Sequence, residues 1–174
     1  KQGDTAASTL NVSNCVFMCD GADASGGAIS GSGNGSIKAV IRDSWFEGCT
    51  AKGVHVNSWC AFGGGAVCGY KVNYSCSDSV FTNNSTAADK CGGAVYDFKT
   101  IDRCRFYCNV AGKGGGAVYG PTTISNCVFV QNSNLGTAWN GTGGCILGSV
   151  KVYDSAFSNN TAKAAGYCIV GASF

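Results

Sequence analysis

Proline, histidine and glutamate occur once each in this 174-residue chain, as Pro121, His55 and Glu47, and leucine occurs three times. Charged residues make up 13%, where ordinary soluble domains carry about 25%. Each scarcity removes a class of protein. A lone histidine gives a metal centre no histidine partner, and no serine or cysteine in a nucleophile motif accompanies it. His55 is a surface-loop residue rather than a general base on this reading. Few leucines exclude a leucine-rich repeat. A net charge of +2 is too weak for nucleic acid or an anionic membrane. No run reaches the roughly 18 apolar residues of a membrane span. There is no signal peptide and no initiating Met before Lys1, which reads as a processed product or an excerpt of a longer protein.

What the chain has in quantity is glycine, cysteine, asparagine and hydroxyl residues: 27 Gly, 12 Cys, 14 Asn and 29 Ser plus Thr. A surface wetted by neutral polar groups suits hydrogen bonding to sugars or to other proteins. The closest cysteine pairs, Cys15/Cys19 and Cys104/Cys108, have C-x3-C spacing and no histidines nearby. That favours disulfides in an oxidising compartment over a metal framework. Seven N-x-[ST] sequons, at Asn11, Asn34, Asn73, Asn83, Asn84, Asn140 and Asn159, point the same way: to an extracellular, secreted or cell-surface glycoprotein.

Internal repeats decide the fold. Gly-Gly-Ala-aliphatic recurs at Gly26–Ile29, Gly64–Val67, Gly92–Val95 and Gly115–Val118, with variants Gly143-Gly144-Cys145-Ile146 and Gly166-Tyr167-Cys168-Ile169. Upstream of each lies a phenylalanine: Phe17, Phe46, Phe81, Phe106, Phe129 and Phe157. Three residues after the Phe stand Asn84, Asn109, Asn132 and Asn160 in four copies, and Asp20 and Cys49 in the others. Two residues before it the side chain is always small (Cys15, Ser44, Ser79, Cys104, Cys127, Ser155), and three before it come Asn14, Asp43, Asp78, Arg103, Asn126 and Asp154. Five before it lies Val12, Ile41, Cys76, Ile101, Ile124 or Val152.

The Phe-to-Phe steps run from 23 to 35 residues, without heptads and with β-branched and aromatic residues throughout. This predicts an all-β protein: a single-stranded parallel β-helix of about six rungs, right-handed by the crossover rule, in one domain over 1–174. Residues 1–9 form a polar N-terminal segment and 10–174 the repeats. Each turn stacks about 4.8 Å above the last, so like sits on like, and corner asparagines pass amide hydrogen bonds between rungs. Glycine pairs serve a tight corner that needs positive φ or has no room for a side chain. Insertions around 51–61, with His55, Trp59 and Cys60, and 135–142, with Trp139, project from one edge.

The paired signatures Gly-Gly-Ala-[Ile/Val] and Phe-x-x-Asn resemble the repeats of polymorphic outer membrane proteins, a family of surface adhesins, from Leu10 to Gly171. The resemblance implies a β-helical passenger that stiffens or adheres. Phe46-Glu-Gly-Cys49 and Gly166-Tyr167-Cys168 depart from the pattern.

Function follows as an expectation: a structural or adhesin-like extracellular β-solenoid, not an enzyme, without cofactor or metal, and a unit of a head-to-tail fibre or stalk. Partners are further copies meeting at open β-helix ends, other extracellular proteins, or glycans. A carbohydrate-binding or polysaccharide-degrading β-helix is the alternative; an ice-binding protein comes third, because the threonines form no continuous flat face. Asp43 and Asp78 share a turn column with Asn14 and Asn126, so they read as turn formers, with a bridging Ca²⁺ as the lesser reading. Trp45 should point outward with Val16, Val80, Arg105, Val128 and Ala156, and Trp45, Trp59 and Trp139 form the candidate binding surface. Stacked cysteines predict two inter-rung disulfides, Cys104–Cys127 and Cys145–Cys168. Cys15/Cys19 and Cys49/Cys60/Cys68 are local candidates.

Overall fold

A computed structural model of the chain describes residues 9–18, 20–31, 37–53, 63–137, 143–164 and 167–173. Those residues form parallel strands in three sheets and no helix. The first sheet has six three-residue strands, one around each repeat phenylalanine: Val16–Met18, Trp45–Glu47, Val80–Thr82, Arg105–Tyr107, Val128–Val130 and Ala156–Ser158. The second has six two-residue strands just past the asparagine position, from Gly21–Ala22 to Thr161–Ala162. The third, of eleven strands, gathers those following the Gly-Gly corner, such as Val95–Tyr96, and those preceding the phenylalanine, such as Lys38–Arg42. In Gly143–Tyr153 the two merge into one strand. Every turn contributes to all three faces, and the chain is the parallel β-helix its repeats predict.

Register is strict where the core demands it. Phe17, Phe46, Phe81, Phe106, Phe129 and Phe157 pair in one unbroken column. Their rings stack at 4.7–4.9 Å between centroids, within 5° of parallel. The spacing is that of the strands themselves, so ring stacking and backbone pairing satisfy one distance. The four middle rings are fully buried. Ile41, Cys76, Ile101 and Ile124 form a second buried column, and Ala66, Ala94, Ala117 and Cys145 a third. A one-residue slip would turn every one of these side chains outward.

The corners explain the remaining columns. All six residues three before the phenylalanine (Asn14, Asp43, Asp78, Arg103, Asn126 and Asp154) have φ between 45° and 54°. Asn and Asp tolerate this left-handed conformation best among residues with a side chain. A second left-handed column, two past the phenylalanine, holds Gly48, Asn83, Cys108, Gln131 and Asn159. Five of the six phenylalanine strands, from Trp45–Glu47 to Ala156–Ser158, are thus bracketed by two left-handed residues that turn the chain onto the next face.

Neither member of the glycine pair has room for a Cβ, and a Cβ at the first would meet the carbonyl three residues on. The first member takes positive φ: 64° at Gly26, 71° at Gly64, 69° at Gly92 and 63° at Gly115. The second has no room for a side chain, since a Cβ at Gly93 would collide with the Gly116 carbonyl above and with Val110 of the facing sheet. Gly65 faces the Gly93 carbonyl and Ser85 in the same way. Gly92→Ala adds to the strain of a φ of 69° a clash of the new Cβ with the Val95 carbonyl, and should cost about 3 kcal/mol or more. Gly93→Ala, which must push two rungs apart, should also cost about 3 kcal/mol or more. Chemical denaturation of the two variants checks both costs.

Candidate functional site

Two polar ladders run through the interior beside the phenylalanine stack. In the first, Asn84 Nδ2 donates to the Phe46 carbonyl at 3.1 Å and to Asn109 Oδ1 at 2.9 Å. Asn109 repeats this with Phe81 and Asn132, and Asn132 with Phe106 and Asn160. Each Oδ1 also accepts the backbone N–H of the asparagine one rung before, at 2.9–3.1 Å. Both amide hydrogens are thus used, and the oxygen takes two bonds. Asn84, Asn109 and Asn132 are fully buried. Where the column carries Cys49, its backbone N–H donates to Asn84 Oδ1 at 2.9 Å and its thiol lies 3.9 Å from the Phe17 carbonyl. The thiol stands where an amide would donate.

The second ladder is the column that the sequence marks only as small. Each member donates to the carbonyl two residues earlier: Ser44 to Arg42 at 2.6 Å, Ser79 to Ser77 and Ser155 to Tyr153 at 2.7 Å, Cys104 to Asp102 at 3.3 Å and Cys127 to Ser125 at 3.0 Å. Each also receives the backbone N–H of the equivalent residue one rung before, as Ser155 Oγ does from Cys127 at 3.0 Å and Cys127 Sγ from Cys104 at 3.4 Å. The position requires one short side chain that both donates and accepts. Serine and cysteine each meet that requirement.

The expected staples are not closed in the structure: Cys104, Cys127, Cys145 and Cys168 are thiols, as are Cys15, Cys68, Cys76 and Cys108. Stacked Cα atoms at rung spacing satisfy one disulfide criterion, but not the Cβ–Cβ separation of about 3.5–4.5 Å. Column neighbours have near-parallel Cα–Cβ bonds, so their Cβ atoms stay about 4.8 Å apart. The Cys145 thiol, raised by burial, and the Cys168 thiol, lowered by Cys145, interact as neighbours. Cys19 and Cys60, members of the local candidate pairs, lie outside the described residues.

On the outer face of the phenylalanine sheet, Trp45 is 42% exposed and stands between Val16, 65% exposed, and half-buried Val80. Met18, two residues along from Val16, is 59% exposed. The Trp45 indole N–H donates to Glu47 Oε2 at 3.0 Å, holding the ring over a shallow groove. Asn14, Asp43, Ser44, Asp78 and Val80 line that groove, whose volume is about 430 Å³. The outward stripe of the sequence reading is therefore present, with Trp45 on its second rung. Trp59, Trp139 and His55 lie outside the described residues.

The groove's carboxylates are not alike. Arg103 grips Asp78 through both oxygens, at 2.7 and 2.8 Å, and also pairs with Asp102. Those hydrogen bonds hold the Asp78 carboxyl below the usual range. Asp102 is lowered in turn by Asn126 and Ser125. The bidentate contact also anchors Arg103, whose φ of 50° is uncommon for a long side chain. Among the described residues no three metal-ligating side chains converge, and the Asp78 oxygens already face a cation.

The sequons separate by accessibility. Asn11, Asn83 and Asn159 are exposed and Asn73 is half-buried, while Asn34 and Asn140 lie outside the described residues. Asn84 is fully buried with its amide committed to the ladder, so folding closes that sequon. Sequence reasoning also missed Lys90, which is 3% exposed. Its stem occupies the space left by the absent side chain of Gly53, and its ammonium meets Asp89 at 2.9 Å.

No family model, no curated protein and no solved structure matches the chain.

Two outcomes follow. Asn109→Ala leaves the Asn84 amide and the Phe81 carbonyl unpaired in the core, and should cost about 3–5 kcal/mol in equilibrium unfolding. Asn83→Ala, on the exposed corner beside Asn84, should cost about 1 kcal/mol or less. Alkaline pH should also destabilise the fold. Burial pushes the Cys68 thiol up to about 11, and burial followed by the Cys68 charge pushes Tyr74 up to about 12. Both groups ionise more readily once unfolded. The stability they contribute is complete below pH 9 and is lost as pH rises towards 11–12. Thermal melts across that window should show a falling Tm, with a shallower fall in Cys68→Ala.

Proposed function

We propose that the chain is a structural, adhesin-like β-solenoid of the extracellular space, akin in kind to polymorphic outer membrane protein passengers. It acts as a rod that presents the Trp45 face to glycans or to other surface proteins. The observation that carries this reading is the pair of ladders. The asparagines and the serine/cysteine column are consumed in holding rung to rung, which serves stiffness rather than chemistry. Because each rung templates the next, a second copy presenting a like rung can continue the coil, which supports a head-to-tail fibre. Exposed sequons at Asn11, Asn83 and Asn159 suit a secreted glycoprotein coat.

Polysaccharide cleavage is the second reading, favoured by Asp43 and Asp78 lining one groove with Trp45. Glycoside hydrolysis needs one carboxyl kept protonated and the other ionised. Arg103 pulls Asp78 towards the ionised form and occupies both of its oxygens. Binding without turnover is the better fit.

A glycan array combined with a hydrolysis screen on one preparation tests this. Binding should weaken at least tenfold in Trp45→Ala with Tm unchanged, and no saccharide should be cleaved. Turnover that disappears in Asp43→Asn would replace the proposal with the enzymatic reading.

A further inference from the structure

The structure brings together two thiols that belong to different columns. Cys76 lies on the strand Asn73–Ser77, paired in register with Ile101 of the next rung. Cys104 follows Ile101 by three residues, just past the left-handed corner at Arg103. The two side chains enter the core from either side of that corner, and their sulfur atoms are 3.6 Å apart. They are 3% and 0% exposed. Cys127, directly above Cys104 in its column, also interacts with the Cys104 thiol, but it receives the Cys104 N–H at 3.4 Å and donates to the Ser125 carbonyl at 3.0 Å as well.

We infer that Cys76 and Cys104 are the pair that oxidises, forming a disulfide across the corner between consecutive rungs, with Cys127 remaining a thiol in a serine's role. Three features decide it. Rotation about χ1 swings each sulfur about a fixed Cβ, so two side chains that converge across a corner can close the distance between their sulfurs. The sulfurs already touch. Cys127 is also replaceable in kind, because Ser44, Ser79 and Ser155 make the same two contacts. The bond closes by exchange with a disulfide oxidant such as oxidised glutathione. One thiolate attacks it and releases one glutathione thiol, and the partner thiolate then displaces the second. Two cysteine thiols and one oxidised glutathione become one protein disulfide and two reduced glutathiones. Because both sulfurs are buried in the native coil, closure belongs to folding, before the corner is sealed. The pairing rests on geometry alone and stands whether or not the chain is secreted.

Refolding the full chain with oxidised and reduced glutathione, alkylating the free thiols and mapping the non-reduced tryptic peptides tests it. Cys76 falls in peptide 72–90, Cys104 in 104–105 and Cys127 in 114–151, so each pairing has its own mass. In material with a native β spectrum, the expected product joins 72–90 to 104–105. It should persist in Cys127→Ser and raise Tm by roughly 10 °C over the reduced chain. In Cys76→Ser the 104–105 peptide should be recovered alkylated. A 104–105 peptide joined to 114–151, or alkylated Cys76 and Cys104 in the native oxidised wild type, overturns the inference.

Discussion

The distance of about 4.8 Å between neighbouring parallel strands governs this molecule. A parallel coil cannot choose which residues meet along its axis, because position n of one turn always lies above position n of the next. A residue is therefore useful only if it stacks well on itself. Phenylalanine does so through its ring faces, at 4.7–4.9 Å, and isoleucine through its branched side chain. Asparagine does so because it carries a donor and an acceptor at opposite ends of one short amide. Serine and cysteine do so because a single atom both donates and accepts.

This makes polar burial cooperative rather than costly. A lone buried asparagine would leave amide hydrogens unsatisfied. In a column, each asparagine supplies what its neighbour lacks and also ties down the phenylalanine carbonyl of the preceding rung, as Asn109 does for Phe81. Apolar stack and polar ladder share one register, so a slip breaks both. The corners belong to the same scheme, since left-handed residues at fixed offsets keep every turn equally long on the phenylalanine face.

The phenylalanine, asparagine and isoleucine columns were legible in the sequence because each holds one residue type at one offset. The corner aspartates were legible as turn formers for the same reason. Other features were hidden for definite reasons. The serine/cysteine column shares size as well as chemistry, and size alone suggests only tight packing. In-column cysteines satisfy the Cα test for a disulfide, but an alignment of repeats carries no side-chain direction, which a bridge also needs. The Cys76–Cys104 contact joins residues from two different columns, which no alignment of repeats places side by side. Asn84 satisfies a sequon and a ladder position at once, and burial decides between them. Lys90 has no repeat partner, since its site depends on the missing side chain of Gly53 on the adjacent rung. The groove at Trp45 was legible only in part: the outward stripe is a matter of strand alternation, but the Arg103 clasp on Asp78 comes from two successive turns.

The account stands on the amide ladder, and side-chain hydrogen exchange followed by ¹⁵N NMR reaches it most directly. The Nδ2 hydrogens of Asn84, Asn109 and Asn132 should exchange on the timescale of global unfolding, as slowly as the backbone amides of the phenylalanine strands. Those of Asn83 and Asn159, on the exposed corners, should exchange as in a free peptide. Fast exchange at Asn109 and Asn132 in the folded protein would contradict the ladder, and with it the claim that like stacked on like is what holds this coil together.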